Sequence, residues 1–591
     1  MAPWTLHTPT NGGRKMNDSS DEWAALMTTL AELDRSLETG QAPPPERDEL
    51  DGRLTRSIRK ALKTNARAEL GPDAVAEVAS SSTAALRKLA GHIKIDSRIY
   101  YNPRELERTA DLIQNQIEST RILDRNIRLV SSLTDLLETV FENQTGDEDE
   151  SQLQSCFECR CEMIYRLACW CSVGYSNDEW DLDPELRKII DTTIDRLWRM
   201  PYSVNKVPVR GWNIDLEIAY IVLDTQIKPL FTAQKTFSRH VNPATGRKIE
   251  RKEEHLLGPS SDSLDEPAWK LEGIGLWNAM CIVLDRLHHD PGLKEIWPLL
   301  IPPIVTLVES TMPHYRLRGI QLSICLLRNV QPLLICQTGI NSILQNAFST
   351  TFSLLNIQQT YALLDAAFEA TRLLIDVEWR ASRQTARDQA ARYLHLNRLI
   401  EQAIFNALTF GKGQGQPGQV ELHLFAVSRF IEITRDLGYG IGRYIRVILP
   451  YLCETLLSLT LSRSSYLVVI EINKLLQLLF AMCADLLVEW RSRLVAVYAT
   501  CWLEWRRAGA DEADGPGHVL SEPEVEAVRQ STIEDTLKSF VKPDHASGDE
   551  RSGGSNQEEG QRQEELLKMI KTVRETDPLL DELFGPLFVS S

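Results

Sequence analysis

Apolar residues recur every three or four positions through most of the chain from about Asp21 onwards, and the period-two alternation of a half-buried strand is almost absent. This spacing predicts one helix after another, among them helices at residues 156–173, 184–200 and 212–231. The apolar fraction rises between Trp269 and Trp505, where short turns separate the helices. We therefore predict an all-α protein in which residues 268–507 form the best-packed region.

The segment 293–330 predicts a helical hairpin, that is, two antiparallel helices joined by a short turn. Its first helix contains Pro302 and Pro303, which lack backbone donors and are expected to kink it. Its second helix begins with the basic residues Arg316 and Arg318. The predicted buried stripes are Ile296, Leu300, Ile304 and Leu307 in the first helix, and Leu317, Ile320, Ile324 and Leu327 in the second.

The layout of this hairpin is that of a HEAT repeat, which has a period of about 40–47 residues. Gly319 near the start of the second helix would let the two helices approach closely. A weaker copy spans residues 444–479, with Pro450 in its first helix. We therefore predict a HEAT/armadillo-like α-solenoid of stacked helical hairpins. The alternative is a generic helical hairpin in a fold without repeats, because the two copies are divergent.

Two stretches of the first hairpin carry a resemblance to a known family. The chain reads Ile301-Pro302-Pro303-Ile304-Val305-Thr306-Leu307 and then Pro313-His314-Tyr315-Arg316-Leu317-Arg318-Gly319. Together they resemble the central signature of the Tel-two-interacting protein two family, the smallest subunit of the Triple-T (TTT) co-chaperone complex. Before the turn, where that family has paired acidic residues, this chain has Glu309-Ser310. The resemblance makes the following residues structural or interaction candidates: Pro302, Pro303, Tyr315, Arg316, Arg318 and Gly319.

The resemblance implies a non-enzymatic adaptor that needs no cofactor. The partners it implies are the larger HEAT-repeat subunit of the Triple-T complex, the third Triple-T subunit and the ninety-kilodalton heat-shock chaperone machinery. With them, such an adaptor stabilises newly made phosphatidylinositol-kinase-related kinases. Two other functions stay open from the sequence. One is a different HEAT-like scaffold, such as a phosphatase or transport adaptor, and the other is an unrecognised α-helical enzyme.

The charge of the chain restricts its partners. The formal net charge is −17 and the isoelectric point is about 5.3, whereas binding to nucleic acid or to an anionic membrane needs a basic surface. We therefore expect protein partners, and neither nucleic acid nor membrane. Residues 511–591 carry 8 basic and 19 acidic side chains, a net of −11, so most of the negative charge belongs to the tail.

Compartment and domain boundaries follow from composition. Residues 1–20 contain no apolar signal sequence, and the apolar stretches 299–308 and 475–487 are shorter than a membrane span. The eleven cysteines are typical of reduced thiols, so we expect a cytoplasmic protein, with the nucleus as a second compartment. The predicted divisions are a disordered leader (1–20), an N-terminal helical region (21–142), an acidic loop (143–151), middle helical hairpins (152–231), a mobile insertion (232–267), the HEAT-like solenoid (268–507), a disordered acidic linker (508–560) and a C-terminal helix with an apolar tail (561–591).

The apolar tail is a second candidate site. Its apolar residues cluster after Asp577-Pro578, and an apolar cluster at the end of a polar segment usually marks a contact. The tail either folds back on the last hairpin as a cap, which we favour because terminal repeats must shield their open apolar face, or docks on a partner. The candidates in it are Leu580, Leu583 and Phe584.

The strongest candidate for a metal site is the cysteine group at positions 156, 159, 161, 169 and 171. Cys156 and Cys159 share a helical face, but Cys161 points elsewhere and no histidine lies nearby to complete a tetrahedral set. Small buried core residues are therefore the better interpretation. The neighbours His288 and His289 diverge by about 100° on a helix and cannot both chelate one ion. We predict no metal site.

Other motifs also have a structural interpretation. The glycine-rich segments 411–415 and 438–442 lack the preceding strand of a phosphate loop and are predicted as turns between helices. The pair Asp191 and Asp195 lacks the second aspartate-rich motif of an isoprenoid-type enzyme. A basic stripe lacks interleaved aromatic residues for base stacking and is predicted as a solvated helix face. It consists of Arg53, Arg56, Arg59, Lys60, Lys63 and Arg67.

Overall fold

The computed structural model describes the helical body of the chain in separate stretches. The predicted leader at 1–20 and the basic stripe beyond residue 58 lie outside the described residues, as does the glycine-rich segment after Gly411. The described stretches, besides a few isolated positions, are 53–58, 72–93, 123–135, 150–171, 182–200, 211–232, 240–249, 267–355, 360–411, 419–459, 466–511, 535–537, 555–575 and 577–589.

The chain divides into two compact units, Met1–Leu344 and Gln345–Ser591. The boundary falls inside the region 268–507 that the sequence predicts as one solenoid. The helices of the first unit are α1 (Pro72–His92), α2 (Glu150–Ala168), α3 (Pro184–Arg199), α4 (Ile214–Ile221), α5 (Lys228–Thr232), α6 (Ala268–Leu271), α7 (Leu276–Arg286), α8 (Leu293–Val308), α9 (Pro313–Asn329) and α10 (Pro332–Thr338). Helix α11 (Ile340–Thr351) begins in the first unit and ends in the second.

The second unit continues the series of helices. A π-helical turn, Ile400–Phe405, makes α13 and α14 one continuous run, and the turn Val222–Ile227 does the same for α4 and α5. The helices are α12 (Thr360–Ala381), α13 (Ala386–Leu399), α14 (Asn406–Gly411), α15 (Gln419–Leu437), α16 (Ile445–Leu459), α17 (Tyr466–Cys483), α18 (Arg491–Asp511), α19 (Ser555–Arg574) and α20 (Leu579–Val589).

Local sequence explains where several of these helices begin. Asp183 caps α3 by accepting a hydrogen bond from the Glu185 amide at 3.3 Å, and Pro184 occupies the first helical position, where its missing donor costs nothing. Asn213 accepts a hydrogen bond from the Leu216 amide at 2.8 Å and caps α4 in the same way. These helices match the predictions at 184–200 and 212–231.

Helices in each unit pack against the next helix and against the one after it. In the first unit α2 packs against α1, α3 and α7, and α9 packs against both α7 and α8. In the second unit α12 packs against α13 and α15, α15 against α17, and α16 against α17 and α18. This is the neighbour-to-neighbour stacking of a helical-repeat protein. The all-α, HEAT-like prediction is confirmed, and the only β pairing among the described residues is the bridge between Val241 and Lys248.

The structure departs from the predicted loops at two places. Helix α2 begins at Glu150, inside the predicted acidic loop, because a carboxylate is favourable in a first helical turn. Residues 240–249, inside the predicted mobile insertion, form a small hairpin that packs on α8. There the Trp297 indole donates to the Gly246 carbonyl oxygen at 3.2 Å, and Lys248 donates from its backbone to Thr338.

The predicted acidic linker, 508–560, also contains packed residues. Ile533 and Leu537 are buried, and the hydroxyl of buried Thr536 accepts a hydrogen bond from Gln477 of α17 at 3.0 Å. The reason is the spacing of these three residues, which gives even an acidic segment one apolar helical face. Helix α19 then begins at Ser555, before the predicted end of the linker.

One helical stretch, Leu467–Glu504, is long and apolar enough to cross a membrane by length and composition alone, with a mean hydropathy of 1.8. The sequence analysis expected no such stretch. It is interrupted by the 3₁₀ segment Ala484–Trp490, and its two helices pack against α15, α16 and α20. We interpret it as a pair of core helices.

Candidate functional site

Helix α8 buries the stripe that the sequence predicts. Ile296, Leu300, Ile304 and Leu307 are fully buried, and Trp297 is buried beside them. Pro302 and Pro303 are buried as well, and the helix continues through both to Val308. The hydroxyl of Thr306 donates to the Pro302 carbonyl oxygen one turn earlier, at 2.8 Å. The prolines therefore belong to the packed core of the hairpin.

Helix α9 meets α8 at its glycine. A Cβ atom on Gly319 would lie 2.4 Å from the Val308 backbone nitrogen and 2.6 Å from the Leu307 carbonyl carbon. Backbone atoms cannot yield as a flexible side chain can, so only glycine allows this approach. Of the predicted α9 stripe, Ile320, Ile324 and Leu327 are buried, and Leu317 is half-buried.

The turn between the two helices is held by Arg316. Its Nε donates to the Ser310 carbonyl oxygen at 2.9 Å, in the turn just past the end of α8. Burial lowers the pKa of the Arg316 guanidinium, and the Glu309 carboxylate opposes that shift. Most of the Arg316 side chain is buried, and its hydrogen bond links α9 to the turn.

Tyr315 lies in an aromatic cluster behind the same turn. Its ring is fully buried and meets Trp269 edge-on at 4.9 Å and Trp277 at 6.3 Å between ring centroids. Its hydroxyl donates to the Lys270 carbonyl oxygen at 3.3 Å. Burial lowers the pKa of His314 beside it, with a smaller effect of the cation on Lys270.

Arg318 reaches the surface of this region. Its guanidinium lies 5.9 Å from the centre of the Trp277 ring and donates to Gln321 at 2.9 Å. Met312 in the turn is 37% exposed and was not among the sequence candidates. The structure thus brings Pro302, Pro303, Tyr315, Arg316 and Gly319 together in the interior of the hairpin, and leaves Arg318 with Met312 at its edge.

The C-terminal candidates lie on the last long helix of the second unit. Helix α20 packs against α18 and α19, and the Trp502 indole donates to the Leu579 carbonyl oxygen at 2.9 Å. Leu580, Leu583 and Phe584 are buried in this contact. The tail therefore lies where the cap alternative places it.

The cysteine group belongs to the packing around α2. Cys159 donates to the Thr83 carbonyl oxygen of α1 at 3.4 Å, and Cys171 donates to the Asp191 carboxylate at 3.5 Å. Burial raises the pKa of Cys159 and that of Cys161 to about 12, so both thiols stay protonated. No group of three or more metal-ligating side chains occurs within the described stretches.

The remaining sequence motifs also have packing roles. The exposed His288 pairs with Asn329 at 2.7 Å just after α7 ends. Asp195 forms a salt bridge with Arg286 of α7. The glycine-rich segment Gly438–Tyr444 is a 3₁₀ connection between α15 and α16, which confirms the prediction of a turn.

A charged network that the sequence analysis missed joins α12 to α15. Arg429 donates from Nε to Asp365 at 2.8 Å and also pairs with Glu432. Arg372 pairs with Glu432 and, at 3.0 Å, with Asp436. All these side chains are half-buried. The i, i+3 spacing of Arg429 and Glu432 was visible in the sequence, but the partners on α12 were not.

Residues 202–460 match the model of the Tti2 family. The matched range covers less than half of the chain and includes α8, α9 and the whole of α16. It confirms the resemblance to the Tel-two-interacting protein two family and supports, in general terms, a role as a subunit of the Triple-T complex. No curated protein matches the sequence.

Three solved structures align with nearly the whole chain at low similarity. A structure of Kap95p with RanGDP gives 9% identity and a TM-score of 0.27, over 97% of this chain and 72% of that chain. Kap121p bound to Ste12p gives 9% identity and a TM-score of 0.26, over 98% of this chain and 64% of that chain. A circular tandem repeat protein gives 11% identity and a TM-score of 0.19, over 97% of this chain and 100% of that chain. The chain spans less than two thirds of Kap121p.

Proposed function

We propose that this chain is a non-enzymatic adaptor of the Triple-T co-chaperone type. It binds a larger HEAT-repeat subunit and, with a third subunit and the heat-shock chaperone, helps to stabilise phosphatidylinositol-kinase-related kinases. The observation that carries the proposal is the Tti2 family match, because it spans the hairpin α8–α9 that holds the two resembling stretches.

The packing of the hairpin is consistent with this role. An adaptor that grips other proteins needs a rigid body rather than a catalytic cleft. The α8–α9 pair is rigid because buried Tyr315 and the backbone contact at Gly319 fix the two helices to each other. Tyr315 and Gly319 therefore keep the outer surfaces of α8 and α9 in a fixed relative orientation for binding.

Affinity purification of the tagged full-length chain from native cell extract tests the proposal. We expect two stoichiometric partners, one of them a much larger helical-repeat protein, together with phosphatidylinositol-kinase-related kinases at lower amounts. An unrelated helical-repeat protein of similar charge, purified in parallel, controls for non-specific binding to helical surfaces. Depletion of the chain should also lower the steady-state level of those kinases.

The same purification discriminates the second candidate function. A stoichiometric phosphatase catalytic subunit or small GTPase, with unchanged kinase levels after depletion, would replace the Triple-T proposal with a different HEAT-like scaffold.

A further inference from the structure

Helix α13 presents exposed apolar side chains to solvent beside its buried face. Leu396 and Leu399 are buried, and Arg392 on the same face pairs with Asp376 of α12 at 2.9 Å. A helix packed in this way normally carries polar residues on its outer side. Besides the exposed Arg387 and Arg398, the solvent side of α13 carries Ala386, Ala390, Tyr393 and Leu394, all of them exposed.

The stripe has the geometry of a helix-pairing seam. Ala386, Ala390 and Tyr393 follow one another at intervals of four and three residues, the spacing that keeps side chains on one seam of paired helices. The two alanines are small enough to let a second backbone approach closely. Tyr393 is 40% exposed and Leu394 is 50% exposed, so the seam offers two large apolar side chains that are only partly covered.

The charges around the stripe are mostly positive. Arg383, Arg387 and Arg398 are exposed and form no salt bridge within the part of the chain that the structure describes. Asp388 is occupied by a capping box with Thr385, to which it is bonded at 3.0 Å and 3.3 Å. The exposed Glu401 lies beyond the stripe. This rim is positive, whereas the whole chain carries a net charge of −17.

We propose that the outer face of α13 is a docking surface for an acidic amphipathic helix of another protein. The apolar side of that helix lies along the stripe, and its carboxylates lie beside Arg387 and Arg398. Charged residues that flank a helical seam select the partner by complementarity. A second copy of this chain is disfavoured, because pairing α13 with itself would bring two sets of arginines together. An anionic membrane is disfavoured by the net charge of the chain.

The proposal does not depend on the Triple-T assignment, since it specifies the chemistry of the bound segment and not its identity. Its test is a photocrosslinking experiment on the full-length chain. We would place benzoylphenylalanine at position 394 in living cells and identify the crosslinked peptide by mass spectrometry. Val447 of α16, which is 57% exposed, is the matched control site outside the stripe.

We expect position 394 to crosslink to a segment that has helical apolar spacing and an excess of Asp and Glu. The triple variant R383E/R387E/R398E should lower the yield about tenfold, because it reverses the complementary charges, while circular dichroism shows an unchanged helix content and melting temperature. Crosslinking to a basic or non-helical segment, to lipid or to a second copy would overturn the proposal. So would a yield no higher than at position 447, or a yield that the charge reversal leaves unchanged.

Discussion

Gly319 and Val308 bring the backbones of two helices into direct contact, since a Cβ on Gly319 would lie 2.4 Å from the Val308 nitrogen. Two neighbouring helices are thereby locked at one point of the family-matched region. A substitution that adds one methyl group at Gly319 tests how much this close contact contributes to stability.

The first prediction is that Gly319→Ala destabilises the protein by about 1–3 kcal/mol, because overpacking against backbone exceeds the gain in helix propensity. Denaturant unfolding measures the change. Gly91→Ala is the control, since Gly91 is exposed near the end of α1 and a Cβ there meets nothing within 4 Å. That variant should be neutral or slightly more stable. Equal effects of the two substitutions would contradict the packing of α8 on α9.

The second prediction concerns Ile324, which is buried in α9. Ile324→Asp places an unpaired carboxylate in the core, so we expect a loss above about 4 kcal/mol or a failure to fold. Leu333→Asp is the control, because Leu333 is 55% exposed. Thermal unfolding followed by circular dichroism measures both. A soluble I324D protein with unchanged melting would show that the core face of α9 is misplaced.

The third prediction follows from Glu369, which lies beside the charged network of α12 and α15. Burial raises the pKa of its carboxyl, Glu432 adds to the shift, and Arg429 opposes it. A raised folded pKa means that ionised Glu369 destabilises the fold above that pKa, and that this penalty disappears below the ordinary value of 4.5. Glu369→Gln should therefore raise the melting temperature at pH 7 and leave it unchanged below pH 4.5.

The measurement for Glu369 is thermal unfolding of both proteins across pH 4 to 8, about the range in which such a carboxyl titrates. The difference between variant and parent, rather than either curve alone, isolates the single group. A variant that is less stable at pH 7, with a difference that shrinks on acidification, would mean that the pKa of Glu369 is lowered by its arginine neighbours.

The fourth prediction is that α20 protects α18 from solvent. Deleting residues 561–591 should speed hydrogen exchange in Arg491–Asp511, because the surface that Leu583 and Phe584 cover becomes exposed. Exchange in α12 serves as an internal control and should not change. Unchanged exchange in α18, together with loss of a co-purifying partner, would instead make the tail a docking peptide.

Much of the fold could be predicted from the sequence because helix stripes are local. The spacing of Ile296, Leu300 and Ile304 alone defines which side of α8 is buried, and the structure agrees. The predicted start of the helix at residue 184 likewise agrees with the structure, in which Pro184 is the first residue of α3. Features that neighbouring residues determine, such as the buried face of a helix and its first residue, could therefore be predicted from the sequence.

The rest depends on which helices meet, and that information is not local. The pairing of Arg429 with Asp365 joins residues of different helices, and so does the hydrogen bond between Trp297 and Gly246. Among the site candidates, the sequence could not distinguish the interior position of Tyr315 from the edge position of Arg318. It also could not show that α13 exposes Tyr393 and Leu394, because the four arginines from Arg383 to Arg398 make the segment polar on average.

The outer side of α20 is charged, whereas its inner side is apolar. Leu580 and Phe584 on its inner side are buried, while Asp581 and Glu582 are exposed. Asp581 pairs with Arg574, so a further layer on this side would have to bury that ion pair together with Glu582. An open apolar α18 would offer every copy the same head-to-tail contact, and such contacts propagate into filaments when they do not close. The charged outer side of α20 therefore disfavours such a head-to-tail contact at this helix.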